Sequence, residues 1–320
     1  MNINNPKITV LMPAYNAGRY LREAIASVLD QSFTDFELLI VNDGSTDDTE
    51  RIICSFNDRR IVLLSQENKG VAAALNLGLT NARAQYIARF DADDICYPNR
   101  LKIQYDFITA YPQYGIVGSA ADYIDAGGTF IFTHHPEGHL NEEIQQLKYS
   151  ICPFIHSSVL YKKAAVINNG GYNEHAYTYE DHFLWVSILK EERGCNLSQP
   201  LIKVRLNPES VTIDEKWHTR KFRSIKYSTL KNRAITATEG NELYQISKKQ
   251  NSTRIKEGAY YALCGKKFLL NNHQPEKARA HVGRAISLYP FRLDNYLLYA
   301  VSYFPEKLIT WLHKVNPERL

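Results

Sequence analysis

The chain begins as an alternation of short apolar runs and helical stripes. Residues 7–12, Lys-Ile-Thr-Val-Leu-Met, read as a strand that ends at Pro13-Ala14-Tyr15-Asn16. Past Gly18, the apolar positions Leu21, Ala24, Ile25, Val28 and Leu29 recur at helical spacing. Residues 36–41 predict a second strand and 61–64 a third, followed by a helix over 71–81 and a fourth strand over 86–90. Residues 114–118 add another strand, after a helix over 99–111. Strands alternating with helices of this length predict an α/β fold, a doubly wound and mostly parallel sheet. Ligands of such sheets bind just past the carboxyl ends of the strands. Here those ends carry polar loops: 13–16, 42–49, 68–70 and 91–94.

The fourth of these loops changes the picture most. A buried strand runs straight into Asp91-Ala92-Asp93-Asp94, three carboxylates within four positions. Hard divalent cations take a few carboxylate oxygens and keep the remaining positions for water and phosphate. Asp91 and Asp93 could therefore hold Mn²⁺ or Mg²⁺ bridging to a diphosphate; a solvated acidic turn is the plainer alternative. Asp94 could cap the segment leading to Pro98. In the second loop, Ser45 or Thr46 is expected to cap the next helix. Asn68-Lys69-Gly70 opens a helix whose amides could face phosphate, while Lys69 could equally be an exposed loop charge.

Composition narrows the field. The hydrophobic fraction of 44% and charged fraction of 22% are those of an ordinary soluble protein. Cys54, Cys96, Cys152, Cys195 and Cys264 lie far apart with no Cys-x-x-Cys pair, which argues against a zinc site or disulfide framework and suits a reducing compartment. The start, MNINNPKITV, has no basic region followed by an apolar core, and no stretch approaches a membrane span, so a cytoplasmic location is expected. The net charge of +4 conceals a split. Residues 1–215 carry 18 Lys+Arg against 27 Asp+Glu, and residues 216–320 carry 20 against 7. That shift predicts a domain boundary near Lys216, with a catalytic unit over 1–215 and a basic helical region over 216–320.

The four loops, in this order, resemble those of the family 2 glycosyltransferases of GT-A fold, over roughly residues 6–215. A nucleotidylyltransferase would need a Gly-rich, Arg/Lys-containing first loop, and here that loop is Pro-Ala-Tyr. The resemblance implies that Pro13, Ala14 and Tyr15, with Asn16, border the base and ribose of a nucleotide sugar. It implies that Asp43 accepts a hydrogen bond from a pyrimidine N–H, although this chain has Asn42 where relatives often carry Asp. It gives Asp91 a ribose or metal contact and Asp93 direct metal coordination, with Asn68, Lys69, Gly70 and Ala92 around the donor.

The segment from Ile155 to Leu160 followed by Asn169-Gly170-Gly171-Tyr172 resembles the part that relatives place beside the active site, where His156 and Ser157 could line the donor sugar. In Tyr179-Glu180-Asp181-His182, the resemblance makes Asp181 the general base toward the acceptor hydroxyl, with Glu180 orienting it. Helix capping by the acids is the alternative. Arg205 and Ser210 match a diphosphate-facing pattern whose His is Asn207 here. The processive branch, with its Gln-x-x-Arg-Trp motif and membrane helices, does not fit.

The resemblance thus implies an inverting, non-processive enzyme using a nucleotide diphosphate sugar, uridine diphosphate first, in cell-surface polysaccharide or glycolipid synthesis. A non-catalytic sugar-nucleotide-binding scaffold with a partner-binding tail is the other reading. No nucleic-acid recognition motif accompanies the basic tail. Residues 259–290 loosely match one tetratricopeptide repeat. Residues 289–320 carry Tyr289, Phe291, Tyr296, Tyr299, Tyr303, Phe304 and Trp311, which suit either a membrane interface or a core-facing helix pair.

Overall fold

The computed structural model describes residues 5–207, 219–250 and 253–315. The chain divides into two compact units, one formed by residues 1–121, 134–204 and 224–243, the other by 122–133, 205–223 and 244–320. Ser210 and the predicted boundary at Lys216 lie outside the described residues.

In the first unit, β1 (Ile8–Ala14), β2 (Phe36–Asp43), β3 (Ile61–Gln66) and β4 (Tyr86–Arg89) run parallel in the order β3-β2-β1-β4. Every residue of β2 is buried, as expected for an interior strand covered on both faces. Between the strands lie α1 (Leu21–Leu29), α2 (Thr49–Cys54) and α3 (Val71–Asn81). α3 approaches the sheet closely at Gly78, where a Cβ would stand 2.2 Å from Leu11 Cδ1. Any larger residue there would force the Leu11 side chain to move.

Beyond β4 the sheet reverses. β5 (Ile95–Cys96) and α4 (Arg100–Ala110) lead to β6 (Tyr114–Ile124), β7 (Phe130–His134) and α5 (Asn141–Leu147). A single 3-10 turn, His156–Ser158, precedes β8 (Leu160–Lys162), which lies antiparallel between β4 and β6. Then follow α6 (Lys163–Asn168), α7 (Glu180–Ile188) and β9 (Arg193–Arg205), which pairs antiparallel with β5. Because β8 runs against β4, its leading segment meets the carboxyl end of β4: Arg89 N donates to Val159 O at 3.0 Å, and Asp91 N donates to Ser157 Oγ at 3.1 Å.

The loops at the parallel strand ends are tied to one another by side chains. Asn16, at φ 47°, accepts from Thr46 N at 2.9 Å, and its own amide donates to Ser45 Oγ at 3.0 Å. Ser45 and Thr46 therefore join two loops and do not cap a helix; α2 starts later, after Asp48. Asp94 is buried and directly precedes β5, a strand the pattern did not show.

Asn42 donates to Glu50 Oε2 at 2.9 Å and accepts from Ser45 N at 3.0 Å. An aspartate could make only the second bond and would set a carboxylate against Glu50, which accounts for the amide here. Asn42→Asp is expected to destabilise the fold by about 1–3 kcal/mol in urea denaturation. Adding Glu50→Gln should recover most of the loss; an unchanged double variant would refute the pairing.

The second unit holds the tip of the β6–β7 hairpin and the C-terminal helices. Asp125 Oδ1 accepts from Gly127 N and Thr129 N at 2.9 and 2.8 Å, closing the turn. Its helices include α10 (Thr253–Leu270), α11 (Pro275–Leu288), α12 (Leu293–Val301) and α13 (Glu306–Val315). α10 and α11 form a helical hairpin closed on small residues: a Cβ on Gly265 would stand 2.5 Å from Val282 Cγ2. The preceding α8 (Arg220–Asn232) and α9 (Ala237–Gln250) are divided between the units, with residues 224–243 in the first.

Candidate active site

At the end of β4, Arg89 is buried and forms an ion pair with Asp91, whose side chain is about one-third exposed. Pairing with a carboxylate offsets part of the cost of burying this charge. Desolvation works against its charge, and the carboxylates of Asp91 and Asp94 hold Arg89 above its ordinary value. Arg89 Nε has no hydrogen-bond partner among the described residues. Asp93 is half-buried two residues on.

Glu180 and Asp181 open α7. The entering turn is strained, since the β-branched Thr178 sits at φ 69°. Both side chains are half-buried, with their carboxyl groups turned inward. Desolvation, and then the charge of Asp181, pushes Glu180 up to about 7. Asp181 is raised as well, by desolvation. Its ionised form is favoured by the His182 amide, which donates to Oδ1 at 2.6 Å, by the charges of Lys226 and Arg89, and by the Cys152 thiol, which donates to Oδ2 at 3.5 Å. Arg89 and Asp91 both act on Glu180. The end of β4 and the start of α7, some 90 residues apart, thus form one electrostatic unit.

An aromatic box closes the floor. His156, Tyr161, Tyr172 and Phe154 surround the buried Trp185, with ring centroids 5.7–6.4 Å from its own. His156 Nε2 lies 3.0 Å from the Tyr172 hydroxyl. Desolvation and the Arg89 charge hold His156 well below its ordinary range, so it is neutral at pH 7 and offers a hydrogen bond, not a charge. Asn76 secures the loop above: Tyr172 N donates to its Oδ1, and its Nδ2 donates to Tyr172 O, both at 2.8 Å.

The remaining expected residues divide by role. Tyr15 is 53% exposed beside the half-buried Pro13, while Asn68, Lys69 and Gly70 are exposed at the start of α3. Ala14 and Ala92 are buried backing. Asp43 is buried and accepts from Gln66 Nε2 at 2.6 Å, Lys69 N at 2.9 Å and Gly70 N at 2.9 Å. Of about four lone-pair positions on a carboxylate, one remains, on Oδ2. Arg205 belongs to the second unit, where its buried guanidinium donates to the Asp125 and Ala126 carbonyls at 3.5 Å. Sequence reading passed over Arg89, Cys152 and Lys226. For Arg89 a signal existed: a lone cation at the end of an apolar run, two residues before a carboxylate.

The family model described as Glycosyl transferase family 2 matches residues 9–170, which contain all four strand-end loops. The chain belongs to glycosyltransferase family 2. EpsE of Bacillus subtilis is 34% identical to this glycosyltransferase over 212 residues, which is 63% of this chain and 74% of EpsE. Among solved structures, S. aureus TarS 1-349 in complex with UDP-GlcNAc is similar at TM-score 0.55 and 18% identity, over 97% of this chain and 92% of that one. Mannosyltransferase PcManGT from Pyrobaculum calidifontis, in complex with GDP-Man and Mn²⁺, gives TM-score 0.54 and 17% identity, over 97% and 84%. These likenesses establish the fold, GT-A-type with C-terminal helices.

Among the described residues, no three His, Cys, Asp or Glu side chains gather into a metal site. An ion bridging to a diphosphate needs only one or two protein carboxylates. Asp93, with Asp91 beside it, is a hard-oxygen donor set of that kind, and it fits.

Proposed function

We propose that this glycosyltransferase transfers a sugar, with inversion, from a uridine diphosphate sugar to an acceptor hydroxyl. The observation that carries the reading is that the end of β4 and α7 meet at one place: Asp91 N donates to Ser157 Oγ at 3.1 Å, and the ring of the adjacent His156 packs 5.7 Å from Trp185 of α7, whose first turn carries Glu180 and Asp181. A base for the acceptor and a carboxylate cluster for the donor then stand in one field. Asp181 accepts the proton of the attacking hydroxyl, and Glu180 keeps a proton near neutrality and orients it. Neutral His156 meets the donor sugar by hydrogen bonding. Tyr15 packs on the base, and the remaining lone pair of Asp43 takes the pyrimidine N–H. For Arg205, a phosphate contact would require release from the hairpin carbonyls.

Asp93 and Asp91 would hold Mn²⁺ or Mg²⁺, which when bound offsets the charge developing on the departing diphosphate. Donor binding, followed by thermal shift over a panel of nucleotide sugars, is expected to fall on chelation and return with Mn²⁺. Asp93→Ala should weaken it by roughly tenfold or more while the fold persists. Unchanged donor binding in excess chelator would overturn the metal assignment.

The second unit presents Phe291 (86% exposed), Leu293 (79%) and Tyr303 (62%) on a basic segment. No helix among the described residues is long and apolar enough to cross a membrane. We assign this face to peripheral contact with an anionic membrane surface, where each Lys or Arg contributes about 1 kcal/mol. Vesicles containing anionic lipid should co-sediment the protein at low salt, and Phe291→Ser with Leu293→Ser should release it. Protein left in the supernatant at low salt would refute the contact.

A further inference from the structure

Four cations flank the start of α7, and the chemistry above uses none of them as a ligand. Lys148 closes α5, while Lys226, Lys231 and Arg233 come from α8 and the residue just beyond it. The ammonium groups of Lys148 and Lys231 both stand over the ring of Tyr149, at 5.4 and 5.7 Å from its centroid. Lys226 stands over Tyr179 at 5.4 Å. Desolvation, and then the charge of Arg233, hold Lys148 below its ordinary value.

The placement is fixed by packing. The Tyr179 and Thr229 hydroxyls meet at 2.9 Å in a buried contact between α8 and the turn into α7. Gly240 of α9 lies so close to His175 that a Cβ would stand 2.8 Å from its Cβ. Among the described residues, no carboxylate forms an ion pair with any of the four cations. Glu239, the acid felt by Tyr179 from α9, is held by Thr236, whose N and Oγ1 both donate to it at 2.8 Å. Gathered like charges repel one another, and an anion placed among them removes that penalty.

We propose that this cluster holds a phosphate group of the acceptor, so that the saccharide glycosylated here is a phosphate-bearing one. The inference rests on Asp181 as the base. Asp181 is acted on by Arg89 from the donor side and by Lys226 from the α8 side. What lies across the base from the donor belongs to the acceptor. A phosphate or diphosphate meets several ammonium groups at once, and lysines bind it as point charges. Lys226 already faces the charge of Asp181 and Lys148 Nζ donates to Gln145 Oε1, but a neutral saccharide would bring no anion to the cluster. Both a soluble sugar phosphate and a lipid-linked sugar diphosphate offer this chemistry.

The test titrates glucose 1-phosphate and farnesyl phosphate into the full chain with UDP saturating the nucleotide site, using glucose and farnesol as phosphate-free controls. The phosphate probes should bind in addition to UDP and weaken with salt. Binding should fall by roughly tenfold or more in Lys226→Gln/Lys231→Gln, the effect of removing charge-assisted contacts. UDP affinity should stay unchanged in that variant, and thermal stability should not fall, since removing two of the four cations relieves their mutual repulsion. Tighter binding of the farnesyl probe would indicate a lipid carrier, and tighter binding of glucose 1-phosphate a soluble acceptor. Absence of phosphate binding, competition with UDP, or indifference to the double variant would each overturn the proposal. Failure of UDP itself to bind would count against the nucleotide-sugar reading, which the same titration reads separately.

Discussion

Asp181→Asn is expected to lower transfer by about 10²–10⁴-fold, the usual contribution of a positioned general base. The amide keeps the size of the side chain and can still accept from the His182 amide, which lies 2.6 Å from Oδ1 in the native protein. Donor affinity should therefore change little. The pH dependence gives an independent check. Glu180 titrates at about 7, raised by desolvation and by the charge of Asp181, so the pair exchanges a proton near neutrality. With Asp181 as the proposed base, transfer would need it ionised, and kcat/KM should fall as the pH drops through the range where the pair takes up protons. Glu180→Gln removes the neighbouring charge and should move that acidic limb to lower pH. For stability the sign is opposite. A carboxyl raised on folding favours the native state fully below its unfolded value, and that contribution is lost as the pH rises through about 7. A slower Glu180→Gln enzyme with an unmoved acidic limb would separate Glu180 from the base. An Asp181→Asn enzyme with most of its rate would place the base elsewhere.

What could be read in the sequence was what local pattern encodes. The helix predicted over 71–81 is α3 as found, and the four parallel strands lie where apolar runs placed them. The carboxylates at the end of β4 stood out because charge interrupts an apolar run there. The antiparallel half was less legible. β5 has two residues, and β9 begins with Arg193-Gly194-Cys195-Asn196, a mixture with neither alternation nor a continuous apolar stretch. β5 exists because it pairs with β9, and β9 because it lies between β6 and β5, which no window of sequence shows. The same applies to Asp43, whose carboxylate proves to be largely taken up by the turn at 66–70. Lys226 lies far along the chain from Asp181, inside a segment that charge alone assigned to a separate tail. Its place near Asp181 depends on Thr229 and Gly240 packing against the turn into α7.

Arg100→Met is expected to destabilise the protein by about 2–5 kcal/mol, because several buried acceptors lose their donor at about 1–3 kcal/mol each. Arg100 is completely buried at the start of α4. Its guanidinium donates to Arg89 O at 2.8 Å, Val159 O at 3.3 Å and Gln104 Oε1 at 3.1 Å, and its carbon lies 5.3 Å from the centroid of the Phe90 ring. Gln104 Nε2 in turn donates to Ser158 O at 2.7 Å and Val117 O at 3.1 Å. One side chain thus clamps the last residue of β4 to the segment leading into β8. Methionine fills much of the volume but leaves the carbonyls and Gln104 short of a donor in a place water does not reach. Arg100→Lys keeps the charge yet offers a single donor point in place of a planar fork, so it should recover only part of the loss. The effect should extend to function, because Asp91 and Asp93 follow directly from the clamped Arg89. At temperatures where the variant remains folded, its stabilisation by donor with Mn²⁺ should be smaller than that of the native protein. Urea denaturation gives the first quantity and ligand-induced thermal shift the second. If Arg100→Met unfolds at the native midpoint, the network contributes no net stability. A full donor shift in a destabilised variant would confine the clamp to folding, with no part in holding the carboxylates.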